Sequence, residues 1–151
     1  MFTWNLKKRA WGNSVDDCRI SLGGPKAKIA VGSPVRLDLI FQNDGDTGIG
    51  YPRVSIWFEY DFEVSLVGAR GVPLTRTGQE KRDAMEEQGG VLLECPPHDR
   101  ISSSVEISQL YDFKTPGEYE IVASKKVPGR GGSGIITVVS NQITVEVYKR
   151  N

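Results

Sequence analysis

The chain is short of several things. It has one histidine, two cysteines and two methionines in 151 residues, and its 19 basic residues are balanced by 19 acidic ones. Each shortage excludes something. With His98 as the single histidine, a four-ligand zinc site has too few good ligands, and no HExxH motif exists. Cys18 and Cys95 form no CxxC pair. A net formal charge of zero disfavours nucleic acid as a partner, because binders of phosphate backbones carry a basic excess. No apolar run approaches the ~20 residues that a membrane-crossing helix needs, so no membrane span is expected. The opening "MFTWNLKKRAWGNSVDD" places its charges after a short apolar stretch and has no h-region, unlike a signal peptide. The expectation is a cytoplasmic protein unless a leader has been removed. The cysteines are expected as free thiols; a single disulfide is the alternative, and would argue for export.

What the chain does have is turns and alternation. Seventeen glycines and eight prolines punctuate it. In "FEYDFEVSLV", Phe58, Tyr60, Phe62, Val64 and Leu66 fall on one face and Glu59, Asp61, Glu63 and Ser65 on the other. Period two over nine residues suits a half-buried strand and no helix. "VRLDLIF" repeats the pattern with Val35, Leu37, Leu39 and Phe41 inward. "CRISL" and "AKIAVG" read as one strand, or a pair split at Gly23-Gly24-Pro25. "RISSSVEI", "YEIVAS", "GIITVVS" and "QITVEVY" supply the rest. Thr77 to Gln88 lacks an apolar face and reads as a loop or a single helical turn. About seven strands with a turn every ten or so residues predict an all-β fold, an immunoglobulin-like antiparallel β-sandwich. The chain reads as one domain, with residues 1–16 an extension packing on or beside it.

The stretch "LYDFKTPGEYEIVAS" carries a fold signature. Pro116 and Gly117 suit positions i+1 and i+2 of a type II turn. Tyr119 then opens a strand. A tyrosine at that place in a sandwich can return its hydroxyl to upstream backbone, forming a tyrosine corner; the expected acceptor lies near residues 111–114. The hydroxyl of Tyr111 is expected to reach water.

"VGSPVRLDLIFQNDGD" resembles the opening of bacterial immunoglobulin-like domains, including the intracellular proteinase inhibitor family. The pattern from "FEVSLVGARGVPLTRTGQEKR" through "SSSVEISQLYDFKTPGEYEI" to "VVSNQITVEV" is similar to the β-sandwich domain of peptidyl-Lys metalloendopeptidases. The likeness covers most of residues 28–147. It implies a non-catalytic accessory domain, since the catalytic half is missing.

The chemical motifs weaken on inspection. "GRGGSG" matches GxGxxG through Gly129, Gly131 and Gly134, but a β-branched run follows where a dinucleotide site needs a helix. It reads as a hairpin loop whose tip, Arg130, could meet an acidic partner. Asn43, Asp44 and Asp46 offer hard oxygens, yet too few for a calcium loop. His98 and Asp99, neighbours on a strand, would point to opposite faces, and Cys95 with His98 lies in a Pro-rich turn. No catalytic residue, metal or cofactor is therefore expected. The mixture of Trp4, Trp11, Lys7, Lys8 and Arg9 has the composition of a recognition patch. The expected function is a non-catalytic protein-binding or assembly module whose partner is another protein. Trp4, Arg9, Trp11 and Arg130 are its candidate contact residues, and Tyr119, Pro116 and Gly117 its structural ones. The alternatives are a protease inhibitor working through an exposed loop such as residues 78–90, and a carbohydrate-binding module using Tyr51, Trp57 and Tyr60.

Overall fold

A computed structural model describes residues 9–69, 71–87, 89–132 and 134–151. Its strands are β1 (Cys18–Gly23), β2 (Ile29–Ala30), β3 (Arg36–Asn43), β4 (Ile49–Arg53), β5 (Asp61–Leu66), β6 (Val91–Cys95), β7 (Arg100–Glu106), β8 (Gly117–Pro128), β9 (Ile135–Val139) and β10 (Ile143–Tyr148), with one helix, α1 (Arg76–Glu87). One sheet runs β1-β3-β7, all antiparallel. A second runs β2-β10-β8-β5, with β9 also on β8 and β2 parallel to β10. A third, two-stranded sheet pairs β4 with β6. Among the described residues the fold is an all-β sandwich of ten strands rather than about seven. The sequence conceals the difference in short pieces: β2 has two residues, and β6 is exposed over four of its five.

The inward faces of β3 and β8 follow the alternation, but the strand expected from Phe58 begins only at Asp61, because residues 56–60 bend, and Glu59, expected to face outward, is buried. Val35, Leu37, Leu39 and Phe41 are buried in the core, as are Tyr119, Ile121 and Ala123. "CRISL" and "AKIAVG" form two strands in different sheets, so the chain crosses the sandwich at Gly23-Gly24-Pro25. Residues 9–12 lie on the β1 sheet. Gly12 donates its N–H to Ile20 O at 3.0 Å, and Ser21 Oγ donates to Ala10 O at 2.6 Å.

β9 and β10 lie along the same edge of β8, joined by a bulge. Val139 faces Ser124 and Ile143 faces Ile121, so residues 140–142 stand against only Val122 and Ala123. The bulge turns Asn141 across to the other sheet. Its Oδ1 accepts from Leu22 N at 2.8 Å, and its Nδ2 donates to Leu22 O at 3.0 Å. One extra residue thus fastens the two sheets.

Thr77 to Gln88 is not a loop: α1 runs for twelve residues. Thr75 caps it, its Oγ1 accepting from Gly78 N at 2.9 Å. Its inner face sets one apolar residue, Met85, against the core beside long polar side chains that cover rings. Lys81 Nζ lies 5.2 Å from the Trp57 ring centre, and the Arg82 guanidinium 4.7 Å from that of Phe58. A search for an apolar stripe overlooks such a helix.

The tyrosine corner forms. Tyr119 Oη donates to Thr115 O at 2.5 Å, one residue beyond the expected acceptors, and the ring packs on Phe113 at 4.6 Å. Two details differ from expectation. Gly117 has φ of 149°, far from the roughly +80° of a type II turn, and already belongs to β8. Glycine is needed there because L side chains rarely adopt that positive φ; a Cβ would also meet the movable Leu66 Cδ1 at 2.8 Å. Tyr111 is buried, and its hydroxyl donates to Phe62 O at 3.3 Å instead of reaching water.

Candidate interaction surface

The expected contact residues are occupied within the chain, apart from Trp4, which lies outside the described residues. Arg9 Nε donates to Ser21 Oγ at 2.8 Å, and its Nη2 pairs with Asp38 at 2.6 Å. Trp11 is half-buried beneath the Arg19 guanidinium, 4.1 Å from its ring centre. Trp11 also lines a cleft of about 350 Å³ with Asn13, Val15, Val139, Ser140 and Asn141. Two of its polar side chains are engaged: Ser140 Oγ accepts from Ala123 N, and Asn141 holds Leu22.

Arg130 turns inward from its hairpin tip. Its Nη1 donates to Thr47 O at 2.6 Å and to Thr47 Oγ1 at 2.9 Å, its Nε to Asp16 O at 3.0 Å, and its Nη2 to Asn43 Oδ1. Asn43 is fully buried, and its amide also donates to Cys95 O and Pro96 O, each at 3.1 Å. The "NDGD" turn and the "GRGGSG" loop are therefore two halves of one clamp. Asn43 serves it as a hub. The free thiols Cys18 and Cys95 are buried close by. Burial pushes the Cys18 thiol up to about 11 and raises that of Cys95, so both are held as poor nucleophiles. Asp44 pairs with Arg19 at 3.0 Å and Asp46 with His98 at 2.9 Å. Asp99 accepts from Arg100 N at 2.8 Å and does not orient His98.

Tyr51 and Tyr60 are buried, their hydroxyls 3.3 Å apart, and offer a sugar no platform. Between them lies a residue that alternation alone did not single out. Lys125 faces inward from β8 between Ala123 and Val127 and is only 6% exposed. Its Nζ donates to Glu59 O at 2.5 Å and sits 4.2 Å and 5.2 Å from the Tyr51 and Tyr60 ring centres. Burial lowers its pKa to about 8, against the opposing pull of Glu59. Glu59, buried itself, pairs with Arg53 at 2.5 Å.

Among the described residues, a surface left unoccupied lies at β6. Strand edges invite pairing, and proteins blunt them with Lys, Pro, short strands or cover. Among the described residues β1, β2, β5 and β7 are blunted, while β4 and β9, like β6, each pair on one side alone. β1 is covered by Gly12 and by the Val15–Cys18 bridge. β2 has two residues, and β5 takes a bond from Val72 N to Val64 O at 2.9 Å. β7, "RISSSVE", is polar and charged at both ends. β6, "VLLEC", pairs only with β4 and exposes Val91 (59%) and Leu92 (66%). An apolar strip continues from it across the outer face. A Cβ on Gly50 would lie 3.1 Å from both Leu92 Cδ1 and Pro128 Cγ, and Pro128 pairs with Ile135, 75% exposed. Such a surface buries apolar area and pairs backbone.

No protein-family model matches the chain, and no curated protein matches it. Among solved structures it is similar to a β-glucosidase from Listeria innocua in complex with isofagomine. There the identity is 11% and the TM-score 0.48, over 88% of this chain and 16% of that one. The same enzyme in complex with glucose gives 12% and 0.43, over 86% and 16%. The chain spans 16% of the length of these structures, and at such scores the likeness carries no argument.

Proposed function

We propose that the chain is a non-catalytic protein-binding or assembly module of immunoglobulin-like fold. The carrying observation is the open apolar edge of β6, continuous with Leu92, Pro128 and Ile135 on the outer face. The corner at Tyr119 supports the immunoglobulin-like reading. The contact surface moves from the four residues expected by composition to this edge, because Arg9 and Arg130 spend their donors internally. Of the loops that could serve the inhibitor alternative, the stretch 78–90 belongs mostly to α1.

The test is a photo-crosslinking amino acid placed at Leu92, with Ser104 on β7 as control. Protein adducts at Leu92 and none at Ser104 are expected. Absence of any adduct at Leu92 in the cell of origin removes the reading.

A further inference from the structure

Resting on that reading, we infer that the occupant of the β6 edge is a second copy of this chain, joined by antiparallel β6–β6 pairing about a twofold axis. The backbone prepares the edge. Pro52 faces Leu92 in the β4–β6 ladder and has no N–H to give. A ladder that wastes no donor places this pair at a non-hydrogen-bonded position. The N–H and C=O of Leu92 then point outward in the plane of the sheet.

The sequence of β6 complements itself. A twofold axis perpendicular to a sheet keeps each side chain on its own face, so facing positions must be an even number apart in sequence or identical. Centred on Leu92, Leu92 meets Leu92, Val91 of each copy meets Leu93 of the other, and Glu94 meets Gly90. Every pair that opposes two bulky residues is apolar, and no like charges oppose. The chain as a whole is formally neutral, so two copies approach without net repulsion. Pairing also closes the edge symmetrically, whereas a heterologous contact between copies leaves a further edge open until a ring closes or a filament grows.

Sedimentation of the wild type over a concentration series, beside Leu92→Lys and Ser104→Lys, tests this. A reversible dimer is expected, with its dissociation constant raised at least ~10-fold by Leu92→Lys and unchanged by Ser104→Lys. Leu92→Cys guards against a misfolded lysine variant. On mild oxidation it is expected to give a covalent dimer, since identical positions face each other across the axis and the native thiols are buried. Ser104→Cys gives none. A wild type that stays monomeric at hundreds of micromolar, or a dimer indifferent to Leu92→Lys, overturns the self-pairing. Crosslinks from Leu92 to a different protein then leave the binding-module reading standing, while their absence removes both.

Discussion

The Arg130 clamp and the β6 edge are opposites made from similar means. At the clamp, a loop tip that looks free in sequence turns back, and its guanidinium meets Asp16, Asn43 and Thr47. At β6, a short apolar run that looks like core stands in solvent with one side of its backbone unpaired. A charged tip is thus no sign of a contact surface, nor an apolar strand a sign of burial. The deciding question is where the hydrogen-bonding groups go.

The sharpest test of the contrast is Arg130→Ala. It removes several charge-assisted bonds and leaves the buried Asn43 carbonyl with only Gly45 N as a donor at 2.9 Å. A loss of roughly 2–3 kcal/mol in urea unfolding is expected, with self-association unchanged at concentrations where the variant is folded. If Arg130→Ala abolished association and spared stability, the two regions would exchange roles.

The two tyrosines come next. Tyr119→Phe deletes the bond to Thr115 O and should cost roughly 1–2 kcal/mol. Tyr111→Phe also deletes a bond, a longer one to Phe62 O, so its expected cost is about 0.5–1 kcal/mol. Equal unfolding midpoints for Tyr119→Phe and wild type would remove the corner as a fastening.

Lys125 makes a smaller, pH-dependent effect. Its pKa of about 8 in the folded chain lies below the 10.5 it has when exposed. Between these values the unfolded chain binds the extra proton, so this group adds stability as pH rises through 8 and penalises the fold below it. Lys125→Met has no such term. The wild type should therefore gain on the variant by at most about 1 kcal/mol between pH 7.5 and 9 in paired urea titrations, discounted for partial solvent screening. The pairwise difference cancels the thiols, which ionise in the unfolded chain over the same range. A constant difference across that range would mean that the amine is solvated.

The smallest stability effect belongs to the open edge. Leu92→Lys should change the unfolding free energy measured under monomeric conditions by no more than about 0.5 kcal/mol, because Leu92 is largely exposed. A loss of several kcal/mol would show Leu92 to be packed.

Much of the sandwich was legible in the sequence. Val35 to Phe41 and Tyr119 to Ala123 alternate because a strand buries every second residue, and that periodicity is a local property. The tyrosine after "TPG" was legible for the same reason, since its acceptor is four residues away. The helix was not, because its inner face borrows rings from Trp57 and Phe58, distant in sequence. Neither was the clamp, whose partners Asp16, Asn43 and Arg130 come from three separate turns.

By itself, then, the sequence determined the class of fold, the inward faces of β3 and β8 and the corner at Tyr119, all set by neighbours within a few residues. Only the tertiary structure decided that Arg130 is spent, that Lys125 is buried and that β6 is open. Burial and hydrogen-bond pairing at those positions depend on groups brought together from across the chain, which local periodicity does not encode.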